Sequence, residues 1–196
     1  MKKFVICIFS VLAVFGIGFR IWYVNVNAVQ QKTELHEKSD WVDLDGSFQD
    51  VVAENTKGYS VHVNSIKQKT YKEFVEEYGQ TVDYLKEHER PEHIVDLELT
   101  VKNDNSDGYI NILQSYLQST TDIFMMNSNL WGLSEPEFGG EFTFSIPHNS
   151  EVTVHVPYAP NLHSEKEKGN YMKDLDYKFV ASQFPIKKMI VLGKID

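Results

Sequence analysis

The chain has 196 residues, 42% of them hydrophobic, which is enough for one packed domain and an appendage. Its net charge is −9, and because the only charged residues before Val29 are Lys2, Lys3 and Arg20, the remainder has 16 basic and 28 acidic residues, a charge of −12. That sign repels phosphate backbones and argues against nucleic-acid binding. The single cysteine, Cys7, excludes a disulfide framework.

The first 28 residues have the pattern of a membrane-targeting segment. Phe4–Val24 is a run of 21 residues in which Arg20 is the only charge, close to the ~20 apolar residues that span a bilayer. Residues 1–28 are therefore predicted to be a signal-anchor, with a signal peptide cleaved after Ala28 as the alternative. The two lysines at the start predict a cytoplasmic N-terminus. The C-terminal domain is then extracytoplasmic, held in the cell membrane by a single pass, or secreted if cleavage occurs.

Residues 29–40 are polar and lack periodicity, so they are predicted to be a linker, and the folded domain is predicted to span residues 41–196. A strand is predicted at Tyr59–Ile66, where polar and apolar side chains alternate. The period then changes to that of a short helix, with Thr70 and Glu73 forming a capping box. The apolar face of this helix consists of Tyr71, Phe74, Val75 and Tyr78.

The stretch Pro91–Leu117 is predicted to be the centre of the sheet. Residues 95–102 alternate, which is typical of a strand with one buried and one wet face, and the predicted buried side chains include Leu97, Leu99 and Val101. Asn103–Gly108 consists of turn formers, and Tyr109–Leu117 is again β-prone. The pattern predicts two antiparallel strands joined by a tight turn.

Further strands are predicted along the rest of the chain, at Asp122–Met126, Glu141–Ile146, Glu151–Val156, Tyr177–Ser182 and Lys187–Leu192. Asn127–Gly140 and Leu162–Asp174 are predicted to be loops. Many short strands with turn signals and one short helix indicate an all-β fold. We expect an antiparallel immunoglobulin-like β-sandwich preceded by an N-terminal transmembrane helix.

Several segments of the chain carry a resemblance to a known family. They are Gly58–Val61, the helix of residues 71–79, Pro91–Asp96 leading to Val101–Asn105, Val156–Tyr158 and Phe184–Lys188. Together these segments resemble a group of small membrane-anchored immunoglobulin-like surface proteins of Gram-positive bacteria, over residues 41–192. The resemblance implies the fold and a location at the cell surface. The family has no established activity, so the resemblance implies no catalytic residue.

A pair of histidines resembles a zinc-protease motif but does not meet its geometry. His88 and His93 are five residues apart, about 140° around a helix, whereas the motif needs two histidines on one helical face. Pro91 also interrupts the helix that the motif requires. These residues are therefore interpreted as a solvated connection.

The turn at residues 103–108 matches part of a calcium-binding loop. Asn103, Asn105 and Asp107 occupy the oxygen-donor positions, yet Gln114 stands where such a loop requires a bidentate glutamate. Turns also select asparagine and aspartate, so a hairpin turn accounts for the segment. No metal, catalytic or cofactor-binding residue is predicted.

The predicted loop Asn127–Gly140 carries the candidate partner-binding residues. At 14 residues it is longer than the usual connection of ~4–6, and it contains apolar side chains that a solvated loop does not need: Leu130, Trp131, Leu133 and Phe138. One interpretation is that they fold back and seal an open end of the core. The other is that Trp131 is exposed and anchors a partner, because aromatic residues dominate binding hot spots.

These patterns together predict a membrane-tethered extracytoplasmic domain with a binding or structural role at the cell surface, and not an enzyme. The expected partners are the membrane, through the N-terminal helix, and a protein or other component of the cell envelope. No cofactor and no nucleic acid are expected. The alternatives are a cell-envelope enzyme and a calcium-dependent adhesion module.

Overall fold

The computed structural model describes residues 2–27, 32–45, 56–120, 122–160 and 169–195, with side chains for all of these except 2–13, 169 and 170. The chain divides into two compact units, Met1–Gln31 and Lys32–Asp196. The helices are α1 (Lys2–Asn27), α2 (Tyr71–Glu77), α3 (Ser128–Ser134) and α4 (Gly169–Lys173). The strands are β1 (Thr33–Glu37), β2 (Val42–Leu44), β3 (Tyr59–Thr70), β4 (His93–Asn103), β5 (Ile110–Asn111), β6 (Tyr116–Gln118), β7 (Ile123–Met126), β8 (Thr143–Phe144), β9 (Ser150–Ala159), β10 (Tyr177–Ser182) and β11 (Lys187–Gly193).

The first unit contains α1, a helix of 26 residues. Within the part of the chain that the structure describes, no helix is both long enough and apolar enough to cross a membrane. The large apolar side chains of α1 from Val14 to Val26 are all exposed. The membrane span expected from the sequence stays a prediction.

The second unit is mostly β, with one large sheet, a small two-stranded sheet and a few short helices. The nine strands of the large sheet lie in the order β1-β11-β10-β6-β7-β9-β4-β3-β2, and only β1 and β11 run parallel. The pair β7–β9 consists of two register partners, Met125 with Ala159 and Met126 with Tyr158. This short pair divides the sheet into two halves, which we call the first half (β1, β11, β10, β6, β7) and the second half (β9, β4, β3, β2).

One hydrophobic core takes side chains from both halves of the sheet. Leu97, Leu99 and Val101 on β4 are at most 1% exposed and belong to the same buried cluster as residues of the first half: Leu117, Phe124, Phe179 and Ile190. The predicted inward direction of these three β4 side chains is confirmed. Each fully buried leucine contributes about 1.5–3 kcal/mol relative to an exposed one.

A buried lysine links β11, next to one edge of the sheet, to β2 at the other edge. Lys188 on β11 donates to the carbonyl oxygen of Asp43 on β2 at 2.7 Å, and its ammonium lies 2.9 Å from the Asp45 carboxylate. The Lys188 side chain is 7% exposed, so these two partners replace most of its hydration. The contact brings the two ends of the sheet together and gives the sheet a nearly closed form.

The predicted hairpin within Pro91–Leu117 is wrong. β4 forms where it was predicted, but its neighbours are β3 and β9, and the residues after the turn pair elsewhere. β5 pairs with β8, and β6 pairs with β7 and β10. Alternation identifies a strand and its buried face; it does not identify the neighbouring strand, because any apolar face of suitable width satisfies it.

The predicted linker at residues 29–40 contains a strand. β1 pairs in parallel with β11 through five register partners, so the folded unit begins before Trp41. The side chains of β1 alternate only between exposed and half-buried, and Leu35 is 60% exposed. The sequence of β1 therefore shows no apolar pattern. The strand is supported by its backbone pairing with β11 at the edge of the sheet.

The short helix α2 forms as its sequence predicts. The Glu73 backbone N–H donates to Thr70 Oγ1 at 3.2 Å, and the Thr70 N–H donates to Glu73 Oε2 at 2.7 Å, which completes the capping box. Its buried face lies against Ile94 of β4 and against α3, in a second cluster that contains Tyr71, Phe74, Val75, Leu85, Leu130 and Leu133. α2 and α3 thus cover part of the outer face of the sheet.

Other element predictions need correction. The predicted loop Asn127–Gly140 contains α3 and a 3₁₀ turn, and the predicted strand Glu141–Ile146 is reduced to β8. β9 continues through Pro157. The Pro157 carbonyl faces away from β4, where it accepts from the Asn127 N–H at 2.7 Å. Because the nitrogen of Pro157 faces the same way, its missing N–H removes no hydrogen bond between β9 and β4. In the predicted loop Leu162–Asp174, residues 162–168 lie outside the described residues, and the rest contains α4.

Candidate functional site

The candidate site is the outer side of the second half of the sheet, which we call the polar face. On β4 the side chains that alternate with the buried Leu97, Leu99 and Val101 point to this side. Register places His62 on β3 beside Thr100 on β4, and Thr100 beside Thr153 on β9. The next row contains Ser65, Glu98 and His155. The polar face is thus built by the strand residues that the core does not use.

The centre of the polar face is a network of uncharged side chains. Thr100 Oγ1 accepts from Asn64 Nδ2 at 2.9 Å and lies 2.9 Å from Thr153 Oγ1. Asn64 lies at a register shift in β3, between Val63 and Ser65. The shift adds one residue to β3 and directs the amide toward Thr100. Asn64 and Thr153 are exposed, so parts of this network face solvent.

An aromatic side chain lies at one end of this row. Trp41 precedes β2 and is 46% exposed, and its ring stacks on the His62 imidazole with a centroid distance of 5.3 Å. His62 Nδ1 is 3.1 Å from the carbonyl oxygen of Asp40, which fixes the orientation of the imidazole. The indole is therefore held in place while much of its surface remains accessible.

A buried ionic cluster lies at the other end of the polar face, where α2 and α3 begin to cover the sheet. Asp96 is 3% exposed. Its carboxylate accepts from Lys69 Nζ at 2.7 Å and lies 3.2 Å from His155 Nδ1. Lys69 also pairs with Glu77 at the end of α2. The cluster connects α2 to β3, β4 and β9 through charge-assisted bonds.

Proton affinities in this cluster follow from its contacts. Burial opposes ionisation of Asp96, but hydrogen bonds from His155 and Lys69 outweigh it and hold the pKa of the carboxyl below its ordinary value. The hydrogen bond with Asp96 raises the pKa of His155, although burial opposes this. Desolvation acts against the charge of Lys69, yet its bonds to Asp96 and Glu77 raise its pKa. All three groups are therefore stabilised in their charged forms.

A second buried acid, Glu135, has the opposite behaviour. It is 5% exposed and accepts the backbone N–H of His155 at 2.5 Å. Burial raises the pKa of Glu135 to about 7, although the His155 N–H opposes this shift. Burial also raises the pKa of the neighbouring Tyr78, whose ring lies edge-on to His155. Glu135 therefore changes its charge near neutral pH.

The charged groups at this end of the polar face are engaged with one another. Asp96 is neutralised by two internal partners, and within the described residues no hydroxyl or thiol is hydrogen-bonded to the free side of the His155 ring. A nucleophile activated by a base requires such a contact. Ser65, the nearest hydroxyl in this row, donates to Glu98 at 2.8 Å instead.

Comparison with known proteins identifies the family of the β unit. Residues 33–188 match a domain of unknown function, DUF5028. The chain belongs to this family. The match begins at the first residue of β1 and ends within β11. The family therefore includes the strands β1 to β10 and the start of β11. The chain matches no curated protein and no solved structure.

The DUF5028 domain buries three of the four residues that the sequence suggested for partner binding, and the fourth, Phe138, is half-buried against the core. Trp131 and Leu130 are 0% exposed and Leu133 is 8% exposed. Trp131 stacks on Phe138 and Phe144, and its Nε1 donates to the carbonyl oxygen of Glu141 at 2.9 Å. This is the sealing arrangement. The exposed anchor is not present in the structure, because α3 forms within the segment and turns its apolar face inward.

The calcium-like turn of the DUF5028 domain is held by its own side chains. Asn103 is 0% exposed; its Oδ1 accepts the Ser106 N–H at 2.7 Å and its Nδ2 donates to the carbonyl oxygens of Ser106 and Ile146. Gly58 has a φ of +93°, and a Cβ there would lie 2.6 Å from Asn105 Oδ1, so the chain can pass the turn this closely only at glycine. Asp107 projects into solvent and pairs with His148.

Metal sites were not predicted in the DUF5028 domain. Among the described residues, no group of three or more His, Cys, Asp or Glu side chains could hold a metal ion. His88 and His93, which resemble a zinc motif in sequence, each lie beside a neighbouring glutamate, Glu89 and Glu92 respectively.

Sequence reasoning did not identify the polar face of the DUF5028 domain as a site. The one signal in the sequence is that His62 and His155 each lie between two valines, which indicates that both histidines are on the solvent side of their strands. Asp96 is separated from His155 by 59 residues, so their contact exists only once β4 and β9 are adjacent.

Proposed function

We propose that the chain is a membrane-tethered module that displays its DUF5028 domain outside the cytoplasm and binds a component of the cell envelope through the polar face. The observation that carries the tether is the exposure of α1, whose large apolar side chains from Val14 to Val26 are 54–73% exposed. So large an apolar surface is stable only when lipid or another apolar partner covers it.

The sequence around this helix supports insertion in a bilayer with the domain outside. Phe4–Val24 has the length of a span. Trp22 and Tyr23 have the amphipathic rings that favour the membrane interface, and Arg20 can extend its guanidinium toward water. The basic residues that precede the run favour the cytoplasmic side. Cleavage after Ala28 would release the same domain.

For the fold we propose an immunoglobulin-like sandwich, as in the surface proteins that the sequence resembles. The two-residue pair between β7 and β9 supports this, because it allows the halves to fold over one core. The parallel pairing of the first strand, β1, with the last, β11, completes the first half of the sheet. Aligned packing of two such halves is the arrangement of β-sandwiches.

Binding, with no catalysis, is the role that the polar face supports. Its central groups, Asn64, Thr100 and Thr153, are neutral hydrogen-bonding side chains, and Trp41 adds apolar ring surface. These are recognition groups. The charged groups at its end are mutually paired and anchor the helices that border the face.

Cysteine labelling tests the proposed topology. Because Cys7 is the only cysteine, a Cys7→Ser background allows single thiols to be introduced. Asp107→Cys places a thiol at a side chain that is 97% exposed. A membrane-impermeant maleimide should label this variant in intact cells, and the labelled protein should stay in the membrane fraction.

The matched control is Lys3→Cys in the same background. It should react only after the cells are permeabilised, since its side lies in the cytoplasm. Labelling of Asp107→Cys only after permeabilisation would overturn the proposed function. Labelled protein in the medium would show that the chain is cleaved after Ala28 and not anchored, with the domain still outside the cell.

A further inference from the structure

The polar face has the chemistry of a carbohydrate-binding surface, and we infer that it binds an uncharged, hydroxyl-rich glycan strand of the cell envelope. This inference deepens the proposed function and rests on it, since it names the component that the tethered domain binds. The row that carries it begins at Trp41, just before β2, and continues through His62 on β3 and Thr100 on β4 to Thr153 on β9.

Trp41 is the platform for a sugar ring. A pyranose presents a flat face of C–H bonds, which packs favourably on an aromatic ring that also tolerates water at its edge. Trp41 is 46% exposed although large apolar side chains are usually buried, and its stacking on His62 fixes the plane of the indole. A ring held in advance loses little conformational entropy on binding.

The neighbouring polar groups match hydroxyls. A sugar hydroxyl both donates and accepts, and so do the Asn64 amide and the hydroxyls of Thr100 and Thr153. Their mutual hydrogen bonds, at 2.9 Å from Thr100 to each neighbour, hold the three groups in a fixed order. Asn64 and Thr153 remain exposed, so each has hydrogen-bonding capacity left for a ligand.

The charged groups around the row favour a neutral ligand. On one side of the row Lys102 pairs with Asp104 at 2.7 Å, and on the other side Asp96 is neutralised by Lys69 and His155. The carboxylates Asp43, Glu98 and Glu151 also lie on this side of the sheet. With a charge of −12 outside residues 1–28, the domain repels phosphate-rich and other anionic polymers.

The shape of the surface suits a chain of sugars. Strands lie about 4.8 Å apart, so the row from β2 to β9 extends over roughly 14 Å. Helices α2 and α3 border the face only at its Ile94 end, where they pack on β4. A linear glycan can therefore lie across the strands with one ring on Trp41 and the following rings on the hydroxyl network.

The test is calorimetric titration of the full chain in detergent with soluble chitin oligosaccharides, and with cello-oligosaccharides as a second neutral probe. We expect saturable binding to at least one of them. Trp41→Ala should weaken it by about tenfold or more, the loss of a packed aromatic contact. Asn64→Ala should weaken it with only a small change in melting temperature, since Asn64 is exposed and Thr100 keeps its hydrogen bond with Thr153.

Tyr84→Ala is the matched control, because Tyr84 is a 39% exposed aromatic residue in the connection between α2 and β4. Its affinity should equal that of the unmodified chain, and polyglycerol phosphate should not bind. Absence of binding to both neutral probes, or equal affinity of Trp41→Ala, would overturn the inference. Trp41-dependent capture of a polypeptide with no glycan binding would also overturn it.

The two proposals fail separately. Labelling of Asp107→Cys in intact cells with no glycan binding removes the carbohydrate inference and leaves the tethered domain in place. Cytoplasmic protection of Asp107→Cys removes the proposed function whatever the titration gives.

Discussion

Glu135 Oε1 accepts the backbone N–H of His155, and the Ser134 hydroxyl donates to the carbonyl oxygen of the same residue at 2.9 Å. These two bonds attach the end of α3 to β9 at a point where β9 has no second neighbouring strand among the described residues. An edge strand needs such partners, because its outward N–H and C=O groups are otherwise unpaired. The carboxylate that does this is buried, so the attachment has a dependence on pH.

Replacing Glu135 by Gln should remove a pH-dependent loss of stability. The pKa of Glu135 is raised from 4.5 to about 7. Glu135 therefore contributes to the free energy of unfolding through its neutral, protonated form. This contribution, on the order of 3 kcal/mol, is fully present below pH 4.5 and is lost as pH rises through about 7. Glu135→Gln keeps an acceptor for the His155 N–H, so it should equal the unmodified protein near pH 4 and exceed its stability at pH 8. Urea unfolding at both pH values measures this.

Glu137→Gln is the control for this prediction, since Glu137 is exposed and lies only two residues after Glu135. It should leave the pH profile nearly unchanged. His155 acts in the same direction as Glu135, because its raised pKa gives stability below pH 6.5 that is lost as pH rises through the folded value. An unmodified domain that is more stable at pH 8 than at pH 5 would contradict this account.

Breaking the Lys69–Asp96 pair from one side should be costly. Asp96→Asn leaves Lys69, whose side chain is 13% exposed, without its closest buried partner. Loss of one member of a buried ion pair costs about 3–5 kcal/mol. The double change Lys69→Met with Asp96→Asn should recover part of this loss, since the buried ammonium is then removed together with its carboxylate. Unfolding free energies of Asp96→Asn, Lys69→Met and the double variant measure the coupling.

The comparison for this pair is an exposed one. Asp83→Asn removes a partner of Arg90 at 3.0 Å, but the Asp83 side chain is 83% exposed, so the cost should stay below ~1 kcal/mol. Equal costs for Asp83→Asn and Asp96→Asn would show that the cluster adds no more than a surface pair.

The two tryptophans of the β unit should differ sharply in stability tests. Trp131 is 0% exposed and lies in the core, so Trp131→Ala should cost ~3–5 kcal/mol. Trp41 is 46% exposed, so Trp41→Ala should cost about 1 kcal/mol or less. Chemical denaturation of both variants measures the difference. A small cost at Trp131 would return it to the role of a surface anchor.

Removing β1 should weaken the sheet although its sequence looks like a linker. A chain that begins at Trp41 lacks the five register partners of β11, whose backbone bonds contribute about 0.5–1.5 kcal/mol each. It should be less stable than a chain that begins at Lys32 by a few kcal/mol, and the backbone amides along the β1-facing edge of β11 should exchange faster with deuterium. Equal exchange in the two chains would show that residues 33–37 act only as a linker.

The sequence by itself determined the elements whose signals are local. The capping box of α2 needs only Thr70 and Glu73, three residues apart. The strands β3 and β4 were located because polar and apolar side chains alternate along them, and that period follows from backbone geometry alone. The same alternation correctly assigned Leu97, Leu99 and Val101 to the core.

Only the tertiary structure decided which strands are neighbours, and with them the candidate site. β1 has no apolar pattern and exists because β11 offers its edge, while the long turn after Asn103 sends the chain to the other half of the sheet. Trp41, Thr100 and Thr153 are distant in sequence and meet through register, and Asp96 meets His155 in the same way. Contacts between distant residues depend on the free energy of the whole packed sheet, so no local pattern could have indicated them.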